Sequence, residues 1–345
     1  MSSEPMRSNA GARFPRRSVL LGSAAVVLSA AIKPTRADAP TKIVVSAVQS
    51  ITSSPHFIAK DKGYFAEQGL DVTVDTSLQN AADQLPLLAA GKYQIMATSW
   101  AASVFNAMRR GGLIRVLGTQ TTLPESGRNL VALVVSKANY DAGLTTAAGF
   151  KGKKVGVVGL GGWNEYDVYL AMKAVGGSIK DVELVQIGRN DVGPAIANGA
   201  VIASWAAEPG VTLLEDKGIA VPIKNDAGRG KGAFPLLTNG DFGKQNPDAC
   251  GRYLAAFLKA AKEIETSAWK DPQLVDIVSK YTNVPPDILR RVPSKLMPKI
   301  EPDFALMDDM QEYFRERRML TYNDKINFAD FYSPQIVEQA RKLIK

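Results

Sequence analysis

A chain of 345 residues with 46% hydrophobic and 22% charged residues is neither disordered nor fibrous, and its length asks for about two domains of roughly 100 to 200 residues each. The formal net charge of +8 is half located in residues 1–39, where Arg7, Arg13, Arg16, Arg17, Lys33 and Arg36 outweigh Glu4 and Asp38; beyond them basic and acidic residues interleave without a long run, so nucleic acid is not an expected partner. Cys250 is the only cysteine and His56 the only histidine, which excludes an internal disulfide, zinc sites built from several Cys or His, and a Cys–His nucleophile with a spare base.

The N-terminus reads as an export signal, residues 1–39. Arg16-Arg17 precede an apolar stretch from Val19 to Ile32 that is too short to span a bilayer, and Ala37-Asp38-Ala39 offers small residues for a peptidase cut near Ala37 or Ala39. The twin arginine and the basic residues behind the apolar run resemble a Tat signal, with Sec export as the alternative. A periplasmic location follows.

From there strand and helix patterns alternate. The strands are predicted at Ile43 to Val48, Val72 to Thr76, Ile95 to Thr98 and Ile114 to Thr119, with helices at Phe57 to Gln68, Ala81 to Ala90 and Ala101 to Arg110 between them. A second series runs from the strand Leu130 to Val135 through Lys154 to Val158, Val182 to Ile187, Val201 to Ala206 and Ala220 to Ile223, with helices at Asn164 to Val175, Pro194 to Asn198 and Val211 to Lys217. This is an α/β pattern made twice, with a largely parallel sheet in each unit. In both units a helix is expected to end on a left-handed glycine, Gly91 and Gly199, before the next strand. After a short strand, Leu236 to Thr238, the chain is helical, with Pro247, Pro272, Pro286, Pro302 and Pro334 near successive helix starts. These last helices have no sheet of their own. The expected organisation is therefore one lobe from 40–131 plus 237–345 and an inserted lobe from 132–236, with the chain crossing near residues 130 and 237.

Lys60-Asp61-Lys62-Gly63-Tyr64-Phe65-Ala66-Glu67-Gln68-Gly69-Leu70-Asp71-Val72, of the form K-x-x-G-Y-F-x-x-x-G-L-x-V, resembles the opening of the nitrate/sulfonate/taurine (SsuA/THI5-like, NMT1-like) family of ABC-transporter substrate-binding proteins. The likeness continues at Leu88 to Ile95, Phe150 to Val157 and Trp205-Ala206-Ala207-Glu208-Pro209. It implies a type II periplasmic-binding-protein fold, in which two α/β lobes joined by hinge strands hold a ligand in the cleft between them. It further implies a monomer that serves an inner-membrane ABC permease and needs no cofactor.

The same cleft follows from topology, since ligands of open α/β sheets sit beyond the carboxyl ends of the strands, where helix N-termini offer free N–H groups. The residues expected there are Ser53, His56, Ser99, Trp100, Gln120, Gly161, Gly162, Trp163, Asn164, Arg189, Trp205 and Glu208. Three of the four tryptophans are among them, and an aromatic wall is the reading set against ordinary packing; Trp269 is expected to pack. Gly156, Gly159, Gly161 and Gly162 lack the G-x-G-x-x-G spacing of a dinucleotide loop, and no P-loop lysine follows. Close backbone approach to a ligand head group suits them better. Arg189 is the cation of the set, able to meet a carboxylate or sulfonate, or else to pair Asp191. Glu165 and Glu208 argue against a purely anionic ligand and offer acceptors for an amino or ring N–H. His56 reads as a loop hydrogen-bonding group or a ligand contact, and Cys250 as a small buried residue.

The leading expectation is a receptor that closes on a small organic anion such as an alkyl or aromatic sulfonate or carboxylate. Binding of a pyrimidine or thiamine precursor is the alternative. An enzyme on the same fold ranks below both, because the cleft-facing early segment carries no cysteine nucleophile.

Overall fold

Among the described residues, runs of β-branched and aliphatic residues between turns form ten strands: β1 (Thr41–Ser46), β2 (Leu70–Asp75), β3 (Ile95–Ala97), β4 (Ile114–Thr121), β5 (Val131–Ser136), β6 (Lys154–Val157), β7 (Glu183–Gln186), β8 (Ala203–Ala207), β9 (Ala220–Pro222) and β10 (Phe234–Asn239). The computed structural model describes residues 39–296 and 299–344; the twin-arginine segment, its apolar run and the cut near Ala37 lie outside the described residues.

The strands make two five-stranded sheets, ordered β2-β1-β3-β10-β4 and β7-β6-β8-β5-β9. In the first, β1 runs parallel to β2 and β3, while β10 lies antiparallel between β3 and β4. The second repeats the plan: β6 is parallel to β7 and β8, and β5 lies antiparallel between β8 and β9. Two α/β lobes result, as expected. The chain leaves the first sheet after Thr121 and enters the second at Val131, then leaves that at Pro222 and returns at Phe234. The return crossing thus precedes residue 237, because Phe234 and Pro235 already pair with Thr121 and Thr119 of β4.

Helix starts follow the prolines. Pro247, Pro272, Pro286 and Pro334 stand in the first turns of the helices Pro247–Ser267, Pro272–Thr282, Pro286–Leu289 and Pro334–Leu343, where the missing N–H would have had no partner. The helix Phe304–Glu316 begins instead beyond Pro302, on Asp303, whose side chain accepts from Leu306 N. The helix expected over 57–68 is two, Ser54–Asp61 and Tyr64–Glu67, because Gly63 adopts φ 77° between them. Gly91 and Gly199 take left-handed φ of 72° and 74°, as their place after a helix and before a strand requires. A short helix, Lys137–Asp141, capped by Ser136, carries no apolar periodicity and was not expected.

The long helix Pro247–Ser267 buries Cys250, Tyr253, Leu254, Phe257, Ala261 and Ile264 along one stripe. It packs on the helices Ser54–Asp61 and Pro334–Leu343, and Phe304–Glu316 packs on Ala102–Arg109, so the C-terminal helices cover the first sheet. A single buried cluster runs from Val45, Phe57 and Phe105 of that lobe to Phe150, Val155 and Ala203 of the other. Strand β5 shows the pleat: Leu133 and Val135 join this cluster, while Val134 points to the opposite face with Val192, Ile196 and Val211.

Candidate functional site

The carboxyl ends of β1, β3 and β4 carry a concentration of buried polar side chains. After β1 a 3-10 turn, Ile51–Ser53, is held by Ser50, whose side chain accepts from Thr52 N, and the helix Ser54–Asp61 follows directly. This brings Ser53, Ser54 and His56 beside the end of β4, where Gln120, Thr121 and Thr122 lie. His56 Nε2 stands 2.8 Å from Gln120 Oε1, and Tyr253 Oη 2.7 Å from His56 Nδ1. Ser53 Oγ, Ser54 Oγ, Gln120 Nε2, Thr121 Oγ1 and Thr122 Oγ1 are all buried without a hydrogen-bond partner. Buried polar groups are normally paired, so five such atoms on neighbouring elements make this the candidate site. Ser54 and Thr121 lie within the strand-end segments 49–54 and 120–121 expected from sequence, whereas Thr122 and Tyr253 were not expected; the run of polar residues at the end of β4 was the available signal for Thr122.

The second lobe meets this wall through the loop after β6. Trp163 N donates to Trp100 O at 2.9 Å and Ala102 N to Gly161 O at 2.8 Å, so the two lobes are stitched by backbone hydrogen bonds. Gly161 has φ +72°, and a Cβ there would stand 3.4 Å from Met319 Sδ and 3.7 Å from Ala102 Cβ; glycine serves the left-handed turn and the close approach together. Gly162 caps the helix Trp163–Ala174, and Asn164 steadies the loop by accepting from Gly159 N at 3.3 Å. Glu165 is fully buried and accepts from Gly161 N at 2.8 Å, Tyr313 Oη at 2.7 Å and Arg317 Nε at 3.0 Å. The ligand-acceptor role considered for Glu165 is therefore corrected: its carboxylate ties the second lobe to the C-terminal helix Phe304–Glu316 and the residue that follows it. Glu208 is likewise committed, accepting from Arg128 Nε at 2.6 Å and from Thr212 N and Oγ1 at 3.1 and 2.9 Å. Arg128, 80 residues away in sequence, gave no signal of this pairing.

All three strand-end tryptophans are at most 3% exposed, but their indole N–H groups differ. Trp100 donates to Gly232 O at 3.0 Å and tilts against Phe105, which places it partly in the core. Trp205 donates to Asp167 Oδ2 at 3.1 Å. Trp163 Nε1 is buried with no partner, and its ring borders Gly228 together with Leu123, next to Thr122 at the end of β4. Trp269 packs with φ 61° and donates to Pro293 O. Asp167, one helical turn beyond Trp163, is held by Trp205 and by Asn225 Nδ2 at 3.1 Å, and burial pushes its carboxyl up to about 6 against these two hydrogen bonds.

Arg189 has no ion pair or hydrogen bond among the described residues, so the Asp191 alternative is not what the structure has. It is exposed to water, while desolvation by surrounding protein draws its pKa below the ordinary arginine value. Ser99, half-buried, stands beside Trp100. Burial lowers His56 to about 4, against the Gln120 hydrogen bond, and lifts the Cys250 thiol to about 12, so neither is ready for acid–base or nucleophilic work near neutrality. A cavity of about 250 Å³ opens beside the two crossings, lined by Arg128, Asn129, Val131, Ile223, Lys224 and Arg229. Its lining includes none of the residues with unpartnered donors.

Residues 50–272 match the family model described as NMT1/THI5 like. YtlA of Bacillus subtilis (strain 168), named as a binding protein, is 28% identical over 258 residues, 72% of this chain and 73% of that one. The riboflavin-binding protein RibY of Chloroflexus aurantiacus is 25% identical over 250 residues, covering 69% of this chain and 68% of its own. Among solved structures, the periplasmic aliphatic sulphonate binding protein SsuA from Escherichia coli superposes with a TM-score of 0.71 at 16% identity, over 87% of this chain and 99% of its own. The desulfurization enzyme DszB shares the fold as well, with a TM-score of 0.62 at 16% identity over 88% of this chain and 100% of its own. The architecture is that of periplasmic binding proteins.

Proposed function

Because this chain belongs to the NMT1/THI5-like family, we propose that it is the exported solute receptor of an ABC importer, closing its two lobes over a small organic molecule and delivering it to an inner-membrane permease. The observation that carries this reading is the group of buried, unpartnered donors at the strand ends where the lobes meet. Ser53, Gln120 and Trp163 contact the ligand directly, with Ser99, the Gly161-Gly162 backbone and Arg189 around them. His56 and Asn164 act by holding Gln120 and the glycine loop. Trp100 and Trp205 back the wall formed by Trp163, and Glu208 orders the loop after β8. Hydroxyl, amide and indole donors beside a helix N-terminus suit an oxygen-rich head, and Arg189 at the rim adds attraction for a sulfonate or carboxylate. The flat side of the ligand lies against Trp163.

A second reading, a flavin or pyrimidine ring with uncharged carbonyls, is favoured by two observations. Among the described residues no lysine or arginine is buried, and one curated relative is a riboflavin-binding protein. In both readings the protein binds without turnover, in keeping with the raised Cys250 thiol and the neutral His56.

Calorimetry and thermal shift with MOPS, benzoate, riboflavin, uracil and nitrate test the proposal. At least one organic compound is expected to bind and raise the Tm, with nitrate inert, and Trp163→Ala should weaken that compound by about 2 kcal/mol, roughly 30-fold. If nitrate alone binds, the organic-solute reading is wrong. Export is tested separately by N-terminal sequencing of the periplasmic fraction. The mature chain is expected to begin at Asp38 or Pro40, and an intact Met1 would overturn it. Replacing Arg16 and Arg17 by lysine should stop export by the Tat route.

A further inference from the structure

The only histidine of the chain is the middle member of three buried side chains whose proton order follows from their geometry. Tyr253 Oη lies 2.7 Å from His56 Nδ1, and His56 Nε2 lies 2.8 Å from Gln120 Oε1; Tyr253 and His56 are 0% exposed and Gln120 1%. A neutral imidazole has one N–H, so two arrangements compete. With the hydrogen on Nδ1, the ring donates to Tyr253 Oη. Nε2 must then accept, the carboxamide of Gln120 has to be turned over, and the tyrosine O–H hydrogen is left buried without an acceptor. With the hydrogen on Nε2, the ring donates to Gln120 Oε1 and accepts from Tyr253. Every hydrogen of the trio then has a partner except those of the Gln120 NH₂. The first arrangement strands the Tyr253 O–H deep in the core, where no ligand reaches it, whereas the second leaves unpaired only the Gln120 NH₂, which a bound molecule can satisfy. The second arrangement is therefore favoured, and the depressed His56 pKa keeps the ring neutral.

We propose that Tyr253 and His56 act as positioning residues that fix the carboxamide of Gln120 as a hydrogen-bond donor toward the bound molecule, making Gln120 a specificity-determining residue that accepts a carbonyl, carboxylate or sulfonate oxygen and refuses an amine or ring N–H. The inference rests on the receptor reading. Gln120 Nε2 is buried and unpartnered, as are the hydroxyls of Thr121 and Thr122 next to it and of Ser53 and Ser54 across from it. Only Gln120 among these cannot reverse its role by rotating a hydroxyl, because the histidine holds its oxygen. A site built this way discriminates strongly, since the wrong ligand group leaves a buried donor unpaired.

Nitrogen NMR of the ligand-free protein, with its one imidazole, reads the arrangement directly. The Nε2–H tautomer is expected at neutral pH, with tautomers mixing in Tyr253→Phe; an Nδ1–H tautomer in the native chain overturns the inference whatever the ligand proves to be. Calorimetry with MOPS and riboflavin on Gln120→Glu and Gln120→Met then reads selectivity. For whichever probe the native chain binds, Gln120→Glu is expected to weaken binding by about 100-fold and Gln120→Met by less, with the fold intact by circular dichroism. Equal affinities in the native chain and Gln120→Glu would overturn the role of Gln120. If the native chain binds neither probe, the sulfonate and flavin readings fail, and the tautomer still decides the relay.

Discussion

Replacing Glu165 by alanine is expected to lower the free energy of unfolding by about 3 kcal/mol, at the lower end of the roughly 3–5 kcal/mol for breaking a buried ion pair. Its carboxylate is wholly buried and gathers three donors: Gly161 N, Tyr313 Oη and Arg317 Nε. Removing it leaves the tyrosine hydroxyl and the glycine N–H dry and unpaired. The Arg317 side chain is 32% exposed and regains water, which keeps the loss near the lower end. Because the carboxylate joins a helix of the second lobe to the C-terminal helix that packs on the first, the variant should also relax toward separated lobes, read as a larger radius of gyration in solution scattering. Glu165→Gln keeps an acceptor and should lose less. A loss below about 1 kcal/mol in Glu165→Ala would mean that the contact behaves as an exposed ion pair and does not hold the lobes together.

Stability between about pH 4 and 6.5 is expected to depend on two buried groups of opposite sign. His56 has its pKa lowered from 6.5 to about 4 by burial. Its contribution is fully present above 6.5 and is lost as pH falls through about 4. Asp167 has its pKa raised from 3.8 to about 6, again by burial. Its contribution is fully present below 3.8 and is lost as pH rises through about 6. At about 1.4 kcal/mol per pKa unit each is worth roughly 3 kcal/mol, and the windows overlap, so in the native chain they largely cancel. Asp167→Asn should unmask the histidine, giving stability that climbs with pH across this window. His56→Gln should unmask the aspartate, giving the reverse. Urea unfolding at several pH values, compared between variants so that carboxylates common to all drop out, checks this. Parallel pH profiles in the three proteins would refute it.

The fold was legible because its determinants are local. Alternating apolar runs name the strands, prolines open the last helices, and Lys60 to Val72 carries the family likeness within thirteen consecutive positions; the break at Gly63 was not read from it. Strand-end topology also names a candidate region, and Ser53, Gln120 and Trp163 stand at strand ends as that topology requires.

By itself the sequence determined two α/β units, a covering of C-terminal helices, and a chemistry limited by one cysteine and one histidine. Only the tertiary structure decided which polar groups are already paired within the protein. Glu165 and Glu208 are bound to Arg317 and Arg128, 152 and 80 residues away, and Trp205 to Asp167, 38 residues away; Gln120 is oriented through His56, 64 residues earlier, which Tyr253 orients from 197 residues later. Side-chain periodicity reports which face of a helix or strand is buried, because that repeats every few residues. It carries no record of which distant donor or acceptor arrives at that face, and a buried carboxylate, indole or carboxamide is available or committed according to that partner alone.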